Sequence, residues 1–440
     1  MAFVHAQSSE CMKSELDIFS LPSTQTSIEK SDWIEYKPIA SLTDDAPIEF
    51  SIPGFGEEYL DLSHTLLSVK VKILKSDGAN LPAETAAVPV DVAPVNNFLH
   101  SLFDQVDVFL NQKLVSTSTS NYMYRSYIEA LLNYGTDSKN TQLTGAMFYA
   151  DSAGKMVDFV QNMGLVKRKG MAANSAVIEL LGPIHCDIMN MEKYLINGVE
   201  LKIKFVRTRD SFSLIATGGE YKVKMLDATL KIRKVKINPA ILLAHSKNLE
   251  RFNAKYPITR VETKVTTIAA GLASYSCNNI ILGQIPKRII IGFVSNKTYN
   301  GDFKLNPFNF HHYKLNHMSL YVDGQQIPSK PLQPDYENNL YAECYHTLFS
   351  GTDIFYGNSY NHNITKEDYI GGYALYAFDL TSDLSASNNA HWNLIRHGSI
   401  LVELKFATAL TESVNMIVYA EFDNVIEIDK RRNVSIDFSS

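Results

Sequence analysis

A strand, a two-residue turn, a returning strand, a polar link, an amphipathic helix and a glycine follow one another in that order twice in this 440-residue chain. In the first copy, FDQVDVFLNQKLVS sets Val106, Val108 and Leu110 in alternation with Asp107 and Phe109, and Asn111-Gln112 turns the chain back. NYMYRSYIEALLNYG follows, with Tyr124, Tyr127, Ile128 and Leu131 at the i, i+3, i+4, i+7 positions of one helical face and Gly135 as a C-cap. In the second copy, Met318, Leu320 and Val322 alternate with Ser319 and Tyr321, and Asp323-Gly324 is a strong hairpin signal. DYENNLYAECYHTLFSG then repeats the helical spacing at Tyr341, Cys344, Tyr345 and Leu348, with Pro334-Asp335 as the start signal and Gly351 as the stop.

The turns lie 212 residues apart, and the landmarks that follow keep nearly the same offset. NGVELKIKF (197–205) corresponds to GSILVELKF (398–406), and YKVKMLDATLKIRKVKI (221–237) to VNMIVYAEF (414–422). Recurrence at close to half the length means two similar domains in tandem. Elsewhere the pattern is mostly period two, as in IEFSI (48–52), LLSVKVKIL (66–74), KYLINGVELKIKF (193–205) and KRIIIGFV (287–294). The fold class expected is all-β: two tandem jelly-roll (antiparallel β-sandwich) domains of about eight short strands each, with short helices in the connecting loops. Residues 1–30 read as an N-terminal arm, 31–237 as the first jelly roll, and 238–429 as the second, opened by a short helical connector at Asn238-Pro239. Residues 430–440 read as a C-terminal tail.

A hydrophobic fraction of 45% supports a large core, and a net charge of −6 argues against a protein that wraps nucleic acid. No apolar run approaches the roughly 18 residues of a membrane span, and the first residues lack the pattern of a secretory signal. The sequons at Asn296, Asn363 and Asn433 are therefore read as incidental.

The search for chemistry yields no catalytic, cofactor-binding or metal site. Cys11, Cys186, Cys277 and Cys344 are far apart, without a C-x-x-C. His311, His312 and His317 cluster, but without the H-x-H spacing of a jelly-roll metal enzyme, so a polar loop is the expectation. Cys344 and His346 point to different sides of a helix and cannot pair. Gly218-Gly219 and Gly371-Gly372 read as turns, since neither belongs to a phosphate-binding motif. Asp44-Asp45 and Glu57-Glu58 are the carboxylate pairs a glycan-cleaving jelly roll would draw on, and loop charges in solvent are the simpler reading. The triplets Lys167-Arg168-Lys169 and Lys430-Arg431-Arg432 read as solvated surface.

Four segments resemble a known family: SLPSTQTSIEKSDWIEYKPI (20–39), PVNNFLHSLFDQVDVFLN (94–111), KYLINGVELKIKF (193–205) and NPFNFHHYKLNHMSLYVDGQQIPSKPLQPDYENNLY (306–341). They are similar to the double jelly-roll major capsid proteins of the Polinton (Maverick) and adintovirus group of DNA viruses and their endogenous relatives. The likeness runs from about Leu16 to Asp429. It implies a non-enzymatic virion protein without cofactor, whose homotrimers are nearly hexagonal capsomers that meet neighbouring capsomers, with penton and minor capsid proteins as further partners. It implies no sequence-specific contact with nucleic acid, and neither it nor the residues decides on an internal membrane. A glycan-binding or glycan-cleaving tandem jelly roll is the alternative, and a one-roll vertex or minor shell protein is disfavoured by the duplication.

Overall fold

The computed structural model describes residues 5, 7–43, 46–85, 89–117, 120–354, 362–388 and 391–436. Its first half contains β1 (Ile28–Tyr36), β2 (Ile48–Ile52), β3 (Tyr59–Lys75), β4 (Val92–Pro94) and β5 (Phe103–Leu110). It continues with β6 (Lys113–Leu114), β7 (Ile178–Pro183), β8 (Leu201–Arg207), β9 (Leu214–Ala216) and β10 (Tyr221–Ile237). The helix Pro239–Leu249 joins the halves, with Pro239 in its first turn and the Asn238 side chain accepting from the Ala240 N–H. The second half holds β11 (Ala254–Ile268), β12 (Ser274–Gln284), β13 (Arg288–Ser295), β14 (Leu315–Val322) and β15 (Gln325–Leu332). It ends with β16 (Leu375–Asp379), β17 (His397–Phe406), β18 (Val414–Ile428) and β19 (Val434–Ile436).

Pairing makes the repeat explicit. The first half forms the sheets β1-β10-β3-β7 and β2-β8-β5-β6; the second forms β11-β18-β13-β16, with β19 added against the end of β18, and β12-β17-β14-β15. With the short pair β4-β9 set aside and the eight principal strands of each half counted in chain order, both halves read 1-8-3-6 over 2-7-4-5. That is the order of a jelly roll, in which strands on opposite sides of the chain's fold-back pair and all neighbours run antiparallel. The chain is two jelly rolls in tandem. The strands are not uniformly short: β3, β10, β11 and β18 run 15 to 17 residues, because each spans its sheet from end to end.

Both hairpins use left-handed backbone at two successive turn residues, Asn111 and Gln112 in one and Asp323 and Gly324 in the other. This suits the right-handed twist of the strands they join. Other expected signals shift. Gly135 is not a left-handed C-cap; its φ is −79° and it precedes the helix Thr136–Asn140, so the preceding helix ends at Asn133 with Tyr134 extended. Pro334-Asp335 starts no helix either. Asp335 and Leu340 exchange backbone hydrogen bonds of 2.8 Å across a turn, and the helix begins at Ala342. NGVELKIKF becomes strand only at Leu201, since Gly198 takes a φ of 79° in a turn.

Each pair of sheets encloses its own core, and the cores interlock. Tyr256, Ile258, Ile426 and Ile428, at the ends of β11 and β18, belong to the first core. Tyr124, Tyr127, Ile128 and Leu131, on the helix Tyr122–Asn133, belong to the second.

Candidate functional site

The residues singled out for chemistry do not converge. The rings of His311 and His312 stack at 4.5 Å and His312 stacks on Tyr336 at 4.0 Å. The Nδ1 atoms of His311 and His312 accept the backbone N–H groups of Tyr313 and Lys314. Burial lowers both imidazoles, that of His312 to about 4, while His317 bonds instead to Ser319. Among the described residues no three His, Cys, Asp or Glu side chains are grouped to hold a metal ion. Cys344 is buried, its thiol pushed up to about 12 by burial, and His346 lies on the exposed side of the same helix. Gly219 and Gly372 take positive φ in turns. Glu58 lies 3.7 Å from Lys234 at the surface; Asp44 and Asp45 lie outside the described residues.

The first basic triplet is solvated surface only at Lys167. Asn162 caps the helix Met163–Ala172, and the turn of that helix carries Arg168 inward until it is fully buried. Its Nη2 donates to Asp151 at 2.6 Å, its Nε to the Pro94 carbonyl at 2.9 Å and its Nη1 to the Tyr149 carbonyl at 2.5 Å. Lys169 pairs with Glu84 and Asp91. In the second triplet, Arg432 donates to the Asn197 carbonyl at 2.7 Å and to its side-chain oxygen at 3.0 Å, tying the end of the chain to the first jelly roll.

Buried polar groups gather instead at the joint between the jelly rolls, and they bridge it. Arg125 donates to Glu129 at 2.9 Å and lies 2.7 Å from Asp187, and His185 Nδ1 is 2.7 Å from Glu129. From the other half, the Tyr419 hydroxyl donates to Glu129 at 3.3 Å and the Val261 N–H to Asp187 at 3.2 Å. Burial alone would raise the Glu129 carboxyl; the Arg125 charge and the bond to His185 bring it down to about 2. Asp187 stays raised, because burial outweighs Arg125. Asp151 makes a second bridge, accepting from Asn306 at 3.0 Å while its carbonyl takes the Tyr373 hydroxyl at 2.5 Å. Lys139 makes a third, donating to Leu131 and to His362 across the joint, and burial lowers its ammonium to about 8. Ion pairs so deeply buried fix geometry more than they add stability.

The groups left facing solvent lie on the walls. On the outer face of β1-β10-β3-β7, Trp33 is 50% exposed and Leu181 and Leu226 about 40%, set among Lys72, Lys224 and the ion pairs Lys70–Glu179, Lys231–Glu35 and Arg233–Asp61. In the equivalent sheet β11-β18-β13-β16 the central strand is covered on both sides, all eight residues of β13 being buried, and exposed residues are kept at the edge strand β11, at Lys255, Pro257 and Thr267. On the opposite flank of the second jelly roll, the helix Ala342–Ser350 and its neighbours present Asp335, Glu337, Glu343, Glu367 and Asp368. Sequence reasoning missed these walls, although the uninterrupted IIIGFV run in β13 is the pattern of a strand covered on both faces rather than the alternation assigned to it.

No protein-family model matches the chain. The uncharacterized protein F54H12.2 of Caenorhabditis elegans is 27% identical over 429 residues, covering 95% of this chain and 99% of its own. Among solved structures, a chain of the Sputnik virophage has a TM-score of 0.64 at 12% identity, covering 100% of this chain and 95% of that one. A chain of the PBCV-1 virus capsid gives 0.59 at 10% identity, with 96% and 100% covered. The mavirus major capsid protein gives 0.57 at 10% identity, with 99% and 97% covered. At these identities the likeness is one of fold, and it extends through both jelly rolls.

Proposed function

We propose that this chain is a double jelly-roll major capsid protein of the Polinton or adintovirus kind, a structural and non-enzymatic component of a virion. Three copies form a nearly hexagonal capsomer, and capsomers tile an icosahedral shell. In this reading residues 31–237 and 238–429 are the two lobes of each subunit, the terminal segments reach neighbouring capsomers, and penton and minor capsid proteins complete the shell.

The observation that carries the reading is the unequal treatment of two equivalent sheets. The outer face of β11-β18-β13-β16 is closed over, with Tyr419 bonded to Glu129 of the first jelly roll and Arg288 to the Gly351 carbonyl of its own, whereas the outer face of β1-β10-β3-β7 is open and sets Trp33, Leu181 and Leu226 among ion pairs. Closed three-fold symmetry places a neighbour's second jelly roll against that open face, so that six similar lobes alternate around the ring. The acids around the helix Ala342–Ser350 would repel a copy of themselves and can meet Lys72 and Lys224 of the open wall, which favours this pairing over self-pairing of that flank. Fold likeness to the PBCV-1 capsid and the mavirus major capsid protein supports the same reading. The net charge of −6 leaves genome condensation to a basic partner protein or an internal membrane rather than to the shell wall.

The test is assembly. The purified protein is expected to run at three times 49.3 kDa and to show hexagonal particles by electron microscopy. A monomer that persists at high concentration would refute the reading. Thermal stabilisation by a member of a glycan panel would favour a glycan-binding jelly roll instead.

A further inference from the structure

The seam beneath the connecting helix holds a cleft of about 560 Å³, walled mainly by Ile28, Tyr59, Ile237, Ile241, Leu249 and Tyr256. It is built from both halves: β1, β3 and β10 give one wall, the helix Pro239–Leu249 and the start of β11 the other. The Phe252 ring at its edge is largely exposed. Lys193 and Lys255 stand at its mouth with Glu192, and Glu427 lies 3.9 Å from the Lys255 ammonium.

The same chain carries an apolar segment with nowhere to go. Every described residue from His5 to Ser27 is exposed, including Met12, Leu16 and Ile18, with Phe19 at 94% and Leu21 at 91%. Large apolar side chains in such density are costly in water and mark an interaction site. The segment is acidic, Glu10, Glu15 and Asp17 outnumbering Lys13, and the exposed Lys193 at the cleft mouth is of the sign to meet it. It also leaves the body at the cleft itself, where the Asn238 N–H donates to the Ser27 carbonyl at 2.9 Å.

We propose that the N-terminal arm of one copy, residues 12–21, docks in the seam cleft of a second copy. The proposal rests on the reading of the chain as a shell subunit and names a contact within that assembly. A second copy is the occupant, rather than the arm's own body, because the arm departs from its own cleft with Ser27 pinned at the wall and none of its side chains covered. Pro22 disfavours a tight turn at Leu21 that would send it back. The stretch from Leu16 to Ser27 spans at most about 40 Å when extended, on the order of one jelly roll's width, so it reaches an adjoining body.

A fluorescein-labelled peptide of residues 8–24, titrated into protein lacking residues 1–24, tests the contact. Saturable binding is expected, weakened at least tenfold by Phe19→Asp in the peptide or Leu249→Glu in the cleft, and weakened as salt rises. Absence of binding, or binding indifferent to both changes, overturns the proposal; because one change lies on the peptide, a poorly folded cleft variant cannot decide the matter alone. Full-length protein with Cys11→Ser, Phe19→Cys and Leu249→Cys then identifies the occupant. Oxidation is expected to join two chains, and a bridge within one chain overturns the assignment to a second copy. Trimers and shells with a peptide that does not bind would sink the arm contact and leave the shell reading intact; a peptide that binds a permanent monomer would do the reverse.

Discussion

The helices Tyr122–Asn133 and Ala342–Ser350 follow the same strand pair in their respective jelly rolls, yet they live in different surroundings. In the first, every residue from Tyr122 to Leu132 is buried, the polar Arg125, Ser126 and Glu129 included. In the second, only Cys344, Thr347 and Leu348 are. The first helix is wedged in the joint: Tyr127 stacks on Phe308 of the other half with ring centroids 4.1 Å apart and planes 5° from parallel. The second lies against its own β16 and turns its other side outward. A repeated motif thus does not imply a repeated role. Duplication supplies two equivalent surfaces, one of which is used up inside the chain while the other is left for another molecule.

If that is the right account, damage to the inner helix should be far costlier to folding than damage to the outer one. Tyr127→Ala should lower unfolding stability by about 3–5 kcal/mol, as expected for a large aromatic removed from a close-packed core. Tyr345→Ala, at a half-buried tyrosine of the outer helix, should cost about 1 kcal/mol beyond the bond it gives to the Ile364 carbonyl. Urea midpoints for the two variants decide this, and equal losses would break the comparison.

Acid should loosen the inner joint selectively. The Glu129 carboxyl titrates at about 2 in the folded protein against an ordinary 4.5, so its stabilisation is complete above pH 4.5 and disappears as the pH falls toward 2. That difference corresponds to about 3 kcal/mol, partly offset by Asp187, which burial shifts the other way. Glu129→Gln should flatten the stability profile between pH 4.5 and 2, measured by thermal unfolding across that range.

Gly292→Val probes the doubly covered sheet. A Cβ on Gly292 would stand 2.6 Å from Leu375 and from Phe310, whose ring belongs to the same aromatic cluster as Tyr127. Overpacking should cost about 1–3 kcal/mol by chemical denaturation. The smallest effect on folding belongs to the open wall: Trp33→Ser should change monomer stability by about 0.5 kcal/mol or less. In a sedimentation experiment, however, the same change should shift the trimer toward monomer. Association unchanged by the substitution would place the contact elsewhere.

Much of this could be read from residue order. The Asn111-Gln112 and Asp323-Gly324 turns, the alternation in β5 and β14, and the Asn238-Pro239 start of the connector are local signals, and local sterics and hydrogen bonding are sufficient to set them. Arg168 shows where such reading stops. Between two lysines it looks like surface, and only its place in the helix Met163–Ala172, packed near β4, turns it toward Asp151 and the Pro94 carbonyl. The helical spacing of Tyr124, Tyr127, Ile128 and Leu131 marked one apolar face correctly but could not show that Arg125 and Glu129 would also be buried. Their partners, Asp187, His185 and Tyr419, are 56 to 290 residues away in the chain.

The cleft and the open wall are further from view, since each is assembled from strands distant in sequence. The sequence by itself determined the duplication, the β character and the positions of the turns, because these depend on the periodicity and backbone preferences of neighbouring residues. Which of two equal sheets is covered, which helix becomes a wedge and where an apolar seam stays open were decided only when the two jelly rolls met. Burial is a property of the surface that arrives from elsewhere, and a residue's neighbours in the chain carry no record of it.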